Sequence, residues 1–273
     1  MSLARENFAQ EVSLADQDID LAKVALYIAQ EETPILQIDP YLAQLDQWAA
    51  QVAELIPAER YPMRIIQCLN QVLYKELGFQ GNQADYYDPR NSFLNEVMER
   101  RTGIPITLAL VYLEVARRLD FPMGGIGMPG HFLIRPEFKD VGIFVDAFHQ
   151  GEVLFPEDCR QRLQEIYQQP VELEPQFLEA VTKREFLGRM LTNLKLIYIN
   201  RQDLERALSV IERLLLIFPD AIAEQRDRGL LSYQLGKIPQ AIADLKTYLA
   251  HFPDASDASM IQLLLSQITP EDA

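Results

Sequence analysis

The sequence predicts an α+β protein that is mainly helical, with a small antiparallel sheet in its first part and an α-helical repeat region after it. Three observations predict this fold class. Apolar residues recur at helical spacing along most of the chain, two β-rich runs stand close together near its middle, and the motif FPD recurs after 34 residues. We therefore expect a first domain over residues 1–180, which includes N-terminal helices, and a repeat domain over residues 183–270.

Four helices are expected between residues 39 and 119. Their segments are DPYLAQLDQWAAQVAELIP, YPMRIIQCLNQVLYKELG, NSFLNEVMERRTG and PITLALVYLEVARRL. Asp39 is the expected cap of the first helix, Gly78 ends the second, and Asn91 and Ser92 are the expected caps of the third. Pro105 begins the fourth helix, because proline suits a first helical turn.

A β-hairpin is expected after the fourth helix. The runs HFLIR and GIFVDAF flank the turn-like segment PEFKD. If the turn centres between Phe138 and Lys139, the numbers of antiparallel partners sum to 277 and His131 faces Asp146. Facing side chains lie roughly 4.5–5.5 Å apart at Cβ, so the carboxylate would orient the imidazole. A slip of the register by one residue would place the two side chains on opposite faces of the sheet.

An internal repeat follows a helix expected near residues 156–168. FPD at residues 218–220 recurs at 252–254, and Ala207 recurs as Ala241, so both give a period of 34. Each unit is expected to form helix–turn–helix, and the period, the small residue early in the second helix and the final proline resemble the tetratricopeptide repeat. The match is imperfect, because Gly229 fills the usual small position in the second unit whereas Lys195 stands there in the first. The segment DASMIQLLLSQI is expected to close the stack.

Charge and cysteine content argue against several classes of protein. The 273 residues include 40 acidic and 25 basic ones, and the formal charge of −15 repels phosphate backbones. Two cysteines without metal-type spacing predict reduced thiols, and the N-terminal segment lacks the layout of a signal peptide. No apolar run is long enough to cross a bilayer. We expect a cytoplasmic protein that binds neither nucleic acid nor membrane and holds no cofactor, with its oligomeric state left open.

The residues that carry chemistry lie between Gly103 and Asp146. A Gly-Ile-Pro enters an apolar helix, LDFP closes that helix, Gly130-His131 leads into a strand, and Asp146 lies on the next strand. This order resembles the transglutaminase-like, papain-related core, in which Gly-x-Cys opens the helix and a His and an Asp stand on successive strands. Aligned on LDFP, His131 takes the place of the family's base and Asp146 that of its orienting acid. The place of the nucleophilic cysteine falls on Pro105.

The resemblance implies a scaffold that lacks its nucleophile. In the enzymes, the helix dipole and a nearby imidazolium lower the pKa of a first-turn cysteine from about 8.5 to roughly 3.5–7.5. The histidine then moves the proton, and the aspartate holds the histidine in one tautomer. Because proline has no nucleophilic atom, we expect His131 and Asp146 to be a vestigial catalytic pair and the chain not to be a cysteine enzyme.

A narrower resemblance points the same way. The stretches NSFLNEVMERRTGIPITLALVYLEVARRL, GMPGHFLIR and VDAFHQGEVL resemble the SirB-type branch of transglutaminase-like proteins. Members of that branch carry the proline version of the motif and often have tetratricopeptide repeats after it. The branch implies a fold and a residual His–Asp pair, but no biochemical activity. The expected cleft or ligand-binding residues are Asn91, Pro105, Thr107, Gly130 and His131.

Other nucleophiles are open alternatives. Thr107 lies two residues into the same helix but needs a strong adjacent base, and a core or capping role is simpler. Cys68 lies on the apolar face of its helix, as a buried and inert thiol does. Cys159 is near a helix start, where the dipole could lower the pKa of its thiol, but it follows the Asp strand and so stands outside the expected order of elements.

Three functions compete. The favoured one is a non-catalytic protein that binds a protein or peptide through the old cleft and the repeats. The second is a hydrolase or acyl transferase that uses a non-standard nucleophile with His131 and Asp146. The third is a metal-binding protein built on His131, Asp146 and His149, which needs a bend after Asp146 because residues three apart on a strand point to opposite faces. We expect no metal site, and His131 with Asp146 also fits a structural staple between two strands.

Overall fold

The two parts of the chain fold as compact units. A computed structural model describes residues 2–138 and 142–269, with one unit ending at Met190 and the other beginning at Leu191. Helices make up 65% of the structure and the sheets are small, which confirms the predicted fold class. The predicted domain limits, 1–180 and 183–270, stay a prediction. None of the helices in the described part of the chain combines the length and apolar character that a membrane crossing requires.

The helices of the first unit follow the predicted pattern. Those in the described residues are α1 (Leu3–Val12), α2 (Leu21–Glu32), α3 (Asp39–Leu55), α4 (Pro62–Asn70), α5 (Leu94–Arg100), α6 (Pro105–Arg118) and α7 (Pro156–Tyr167). α8 (Lys183–Asn200) begins in the first unit and ends in the second. Each of the four helices expected between residues 39 and 119 is present.

Two helix starts differ from the prediction. Ile38 and not Asp39 occupies the cap position of α3, and Asp39 is the first residue of that helix. α5 begins at Leu94 and has no side-chain cap, so Asn91 and Ser92 do not cap it. These two residues end a 3-10 turn that precedes α5, and the side chain of Asn91 is used within the preceding loop instead.

α6 forms the core of the first unit. Every residue from Pro105 to Ala116 is buried, and a helix that is apolar nearly all round is typical of a protein interior. α6 packs against helices α2, α3, α4 and α5 and also against strands. Pro105 is its first residue, as predicted, because the fixed φ of proline suits the first turn and that position needs no N–H donor.

The strands form one small antiparallel sheet and one short parallel pair. The sheet contains, in spatial order, β3 (Met123–Ile126), β4 (Leu133–Pro136), β5 (Phe144–Asp146) and β6 (Glu152–Leu154). The parallel pair consists of β1 (Gln80–Gly81) and β2 (Thr102–Gly103). Since β2 ends one residue before the cap of α6, this pair anchors the start of the central helix.

The predicted register of the hairpin is wrong by two residues. Ile134 pairs with Val145, so the partner numbers sum to 279 and not to 277. A shift of two leaves each side chain on the same face of its strand, so the two predicted partners still meet. The predicted turn centre includes Lys139, which lies outside the described residues.

The second unit contains the predicted helical repeat. Its helices after α8 are α9 (Leu204–Ile217), α10 (Ile222–Gln234), α11 (Ile238–His251) and α12 (Ala258–Ile268). Side chains of α11 and α12 share a buried apolar cluster that includes Leu245 and Ile261. α12 therefore closes the repeat, as predicted.

The imperfect position of the repeat has a physical explanation. Gly229 lies against α11, where an added Cβ would come within 2.9 Å of the Leu245 side chain. Lys195 stands at the equivalent position of the first repeat, and its ammonium group binds carboxylates on α10 instead. Its Nζ lies 2.7 Å from Glu224 Oε1 and 3.1 Å from Asp227 Oδ2. A long side chain is accommodated there because its charged end has two acidic partners.

Candidate functional site

Asp146 is the centre of the site. It ends β5, is fully buried, and caps the 3-10 turn Ala147–His149 that follows. Its Oδ1 accepts hydrogen bonds from the backbone N–H of Phe148 at 3.0 Å and of His149 at 3.2 Å. Its Oδ2 accepts from Nε2 of His131 and from Nδ1 of His149, both at 2.8 Å.

The four hydrogen bonds set the charge of Asp146. Burial by itself raises the pKa of a carboxyl group, but hydrogen bonds from His131 and His149 outweigh it and hold the pKa of Asp146 well below its ordinary value. The carboxylate is therefore ionised at neutral pH. An ionised acceptor between two imidazoles requires a proton on each ring nitrogen that faces it.

These contacts assign the tautomer of His131. In the neutral ring the proton is on Nε2 and the lone pair is on Nδ1, and no described residue makes a hydrogen bond to Nδ1. In a cysteine enzyme this is the arrangement of a general base, with the acid behind the ring and the free nitrogen facing the nucleophile. His131 is nevertheless only 6% exposed, so solvent reaches it poorly.

The backbone of His131 is held by a partly buried arginine, Arg189. His131 lies just before β4, in a turn where its N–H donates to the carbonyl of Met128 at 3.1 Å. Arg189 on α8 donates to the carbonyls of Met128 at 2.8 Å and His131 at 2.6 Å, and its guanidinium lies 5.4 Å from the centre of the Phe132 ring. Burial lowers the pKa of Arg189. Arg189 therefore fixes the turn that contains His131.

Gly130 belongs to the same turn. Its φ is +73°, a conformation that favours glycine, and an added Cβ would lie 2.7 Å from Cγ2 of Ile166 on α7. Gly130 therefore allows the turn to pass close under α7. Its predicted role in binding a ligand stays a prediction.

His149 lies on the more open side of the cluster. Its side chain is 32% exposed, whereas that of Asp146 is fully buried. NH1 of Arg162 lies 3.1 Å from both nitrogens of the His149 ring. A donor equidistant from both nitrogens lies over the ring face, so Arg162 stacks on the imidazole. NH2 of Arg162 binds Glu152 at 2.7 Å and lies 3.9 Å from Oδ2 of Asp146.

An open pocket adjoins His149. It has a volume of about 580 Å³ and is lined by residues 80–84, Thr102 and residues 148–150. Phe148 forms its aromatic wall, with ring centres 5.2 Å from His149 and 6.2 Å from His131. A more enclosed cavity of about 420 Å³ lies elsewhere in the first unit, and its lining includes none of the predicted site residues.

The helix start where the resemblance places a cysteine is closed. Pro105 is buried at the start of α6. Two residues further on, the buried hydroxyl of Thr107 donates to the carbonyl of Asn91 at 2.7 Å and accepts from the N–H of Ile104 at 3.1 Å. Thr107 thus has the capping role that we considered the simpler one, and its hydroxyl is not free to attack a substrate.

Asn91 organises the loop before α5. It is fully buried, and its amide donates to the carbonyls of Asp85 at 2.8 Å and Tyr86 at 3.2 Å. Its Oδ1 accepts from Asn82 at 3.1 Å. Because Asn82 lines the pocket beside His149, Asn91 shapes that pocket from behind. A direct contact of Asn91 with a ligand stays a prediction.

Both cysteines are buried. Cys68 is buried and its Sγ lies 3.4 Å from the carbonyl of Leu55. Cys159 is buried near the start of α7, where we considered that the helix dipole could lower its pKa. That expectation is wrong, because burial and the nearby carboxylates of Asp158 and Asp146 raise the pKa of Cys159 to about 12.

Sequence reasoning missed three members of the site. Arg162 lies on α7 and Arg189 on α8, far along the chain from the residues they contact, and Phe148 was assigned only to a strand. A signal in the sequence could have identified the turn that contains Phe148: Gly151 follows it closely, and glycine often ends a strand. In the structure Gln150 and Gly151 both have positive φ and end this turn.

Known proteins resemble most of this chain. Residues 39–192, more than half of the chain, match the Transglutaminase-like superfamily, and residues 194–266 match the Tetratricopeptide repeat. A UPF0162 protein of Xylella fastidiosa is 35% identical over 260 residues, which cover 94% of this chain and 92% of that protein. A UPF0162 protein of Vibrio cholerae is 27% identical, with 94% of this chain and 97% of that protein covered. No solved structure matches the chain.

A longer protein contains a related region. Human F-box only protein 21 is 27% identical over 246 residues, which cover 86% of this chain but 37% of that protein. The predicted tetratricopeptide repeats are confirmed by the family match, and the two kinds of domain together suggest a role in protein interaction.

Proposed function

This chain belongs to the transglutaminase-like superfamily and to the UPF0162 family, and from that premise we propose that it is a non-catalytic protein that binds a protein or peptide. The observation that carries the proposal is Pro105, which is buried at the first position of α6, where the superfamily's enzymes place their cysteine. Proline preserves the first turn of α6 but supplies no nucleophilic atom. The His131–Asp146 pair is retained as a vestige that ties the turn before β4 to the end of β5.

Tetratricopeptide repeats support the interaction part of the proposal. Such repeats stack helices into an extended surface that carries protein-binding residues. We also assign the chain to the SirB-type branch, whose proline motif and following repeats it shares, and we place it in the cytoplasm because both of its cysteines are free and buried.

A hydrolase with another nucleophile is the weaker candidate. Such an enzyme needs an accessible hydroxyl or thiolate next to His131. The hydroxyl of Thr107 already makes hydrogen bonds to the backbone of Asn91 and Ile104, and both cysteines are buried. We therefore do not adopt this alternative, although the tautomer of His131 would suit it.

Assays of the full-length chain test the absence of catalysis. We expect no turnover of broad amidase, esterase and peptidase substrates and no labelling by thiol-directed activity probes. Turnover by the wild-type chain that is lost in His131→Ala, with an unchanged circular dichroism spectrum, would refute the proposal.

Site-specific photo-crosslinking tests the binding part. We propose that the partner contacts the open pocket beside His149, so a photoreactive residue at position 150 should form one dominant crosslinked product in cells. Gln51, which is exposed on α3 and does not line the pocket, is the matched control position. Equal crosslinking from both positions would contradict a binding role for the pocket.

A further inference from the structure

We propose that His131, Asp146 and His149 form a binding site for one divalent metal ion of the zinc class. Their ligand atoms lie within 4.8 Å of one another. The two imidazoles and the carboxylate meet at a single atom, Oδ2 of Asp146, which is 2.8 Å from a nitrogen of each ring. This inference revises our expectation of no metal site, goes beyond the proposed binding of a partner and does not depend on it.

The 3-10 turn is what makes the site possible. Residues 146 and 149 would point to opposite faces if the strand continued. Instead β5 ends at Asp146, and the turn Ala147–His149 brings the third residue back toward the carboxylate that caps it. His131 approaches the same oxygen from the turn before β4. Three ligands from two adjacent segments therefore converge without any further rearrangement of the backbone.

The choice of metal follows from the donor atoms. Two neutral imidazoles and one carboxylate suit zinc and related first-row ions, whereas calcium and magnesium prefer all-oxygen sites. Three protein ligands leave a fourth position of a tetrahedral ion for water or for an atom of a bound molecule. The His149 side of the cluster is the more exposed one and adjoins the open pocket, so that position would face the pocket.

A metal would replace two protons. Bonds of about 2.0–2.1 Å to nitrogen and 2.0–2.2 Å to oxygen place the ligands of a tetrahedral ion roughly 3.4 Å apart. The two N–O separations of 2.8 Å would have to widen by about 0.6 Å, once the protons on Nε2 of His131 and Nδ1 of His149 have left. The two ring nitrogens, which lie within 4.8 Å of each other, would have to take up the same spacing of roughly 3.4 Å. Because His149 is the partly exposed member, we expect its ring to make most of this adjustment.

The surroundings hold the ligands as a metal site requires. Ligating carboxylates and histidines are commonly fixed by outer hydrogen bonds. The backbone N–H groups of Phe148 and His149 hold Oδ1 of Asp146, and Arg189 holds the carbonyl of His131. These outer contacts do not compete for the three donor atoms.

Arg162 opposes the ion. Its guanidinium stacks on His149 and lies 3.9 Å from Oδ2 of Asp146, and Glu152 neutralises only part of its charge because the Glu152 side chain is 51% exposed. A cation this close weakens the binding of another cation. We therefore expect Arg162→Gln to bind the metal about tenfold more tightly than the wild type.

Titration of the full-length chain with Co²⁺ and Zn²⁺ tests the site. After removal of bound metal with a chelator, we expect one equivalent of Co²⁺ to bind and to give the visible absorption of a four-coordinate site, which Zn²⁺ then displaces. His149→Ala should weaken the apparent Kd at least about 100-fold. His251→Ala is the matched control, because His251 is exposed on α11 and its ring makes a hydrogen bond to a carbonyl of its own helix. It should bind as the wild type does.

Two results would overturn the site. One is binding of less than about a tenth of an equivalent by the wild-type chain. The other is unchanged stoichiometry and affinity in His149→Ala, which would show adventitious binding elsewhere. Circular dichroism of each variant separates loss of a ligand from loss of the fold. Thiol-probe and crosslinking results bear on the proposed function alone, so each proposal can fail without the other.

Discussion

Single residues decide what the site can do, and Asp146 shows how. One of its oxygens fixes the following turn and the other joins two histidines. The residue types at this cluster match those of a cysteine enzyme, but Pro105 stands where the resemblance places the nucleophile. The proposed absence of catalysis therefore depends on this one residue, while His131 and Asp146 keep their hydrogen bond.

Cys159 allows a test of the interpretation that the thiols are buried and unreactive. Burial raises its pKa to about 12, so the native thiol stays protonated as the pH rises through the range in which an unfolded cysteine ionises. We expect the alkylation rate of Cys159 in the native chain to stay nearly flat from pH 7 to pH 10, whereas the urea-unfolded chain shows a rise centred near pH 8.5. Peptide-resolved labelling with iodoacetamide measures both rates.

The pH profile distinguishes two kinds of thiol. A reactive nucleophile would be labelled in the native chain at neutral pH, faster than in the unfolded chain, because a lowered pKa supplies thiolate early. Such a result at Cys159 would revive the hydrolase alternative. Cys68, which is buried in a different helix, serves as the internal reference for simple steric protection.

At the scale of elements, local rules predicted the helices well and the site only in part. α6 begins at Pro105 as predicted, because the fixed φ of proline and the lack of an N–H donor are local properties. The start of α5 was misplaced because the amide of Asn91 binds loop carbonyls, a choice that a local pattern does not reveal. The convergence of His149 was considered only as an alternative, because it requires β5 to end at Asp146 rather than continue, and a local pattern does not decide this.

The connection between the 3-10 turn and β6 depends on Gly151. Its φ is +73°, and an added Cβ would lie 2.0 Å from Oδ1 of Asn70. Asn70 in turn donates to the carbonyl of Gly151 at 2.7 Å and accepts from the hydroxyl of Tyr112 at 3.1 Å. We expect Gly151→Ala to lower the free energy of unfolding by about 3 kcal/mol, from backbone strain and the loss of these hydrogen bonds. Urea denaturation measures the change.

Gly78 provides the control for Gly151. It has the same φ of +73°, but nothing lies within 4 Å of an added Cβ. Gly78→Ala should therefore cost only the strain, about 1 kcal/mol. In a double-mutant cycle, Asn70→Ala should remove most of the difference between the two glycines. Equal losses at both positions would contradict the steric argument.

At the scale of the whole molecule, the residue at which the first folded unit ends can be determined by experiment. The sequence places a boundary at residues 180–183, where a proline-containing acidic link ends. The compact unit extends further, to Met190. The start of α8 contributes Phe186, whose ring lies 5.0 Å from that of Phe132 between centres, and Arg189, which holds the turn before β4.

A second set of contacts ties α8 to the N-terminal helices. The backbone N–H groups of Lys183 and Arg184 each donate to Asp16 at 3.0 Å. Nζ of Lys183 also donates to the carbonyls of Gln17 and Ile19 at 2.8 and 2.7 Å. The first residues of α8 thus close the connection between α1 and α2 as well as packing on the sheet.

Two fragments that differ by eight residues distinguish the boundaries. We expect residues 1–190 to fold cooperatively and residues 1–182 to be unfolded or marginal, because loss of the Phe186 side chain alone costs about 3–5 kcal/mol against a total stability of roughly 5–15 kcal/mol. Urea denaturation and limited proteolysis of the two fragments give the comparison. Equal urea midpoints would show that the first unit folds without the first eight residues of α8. The boundary expected from the sequence would then be the limit of the folded unit.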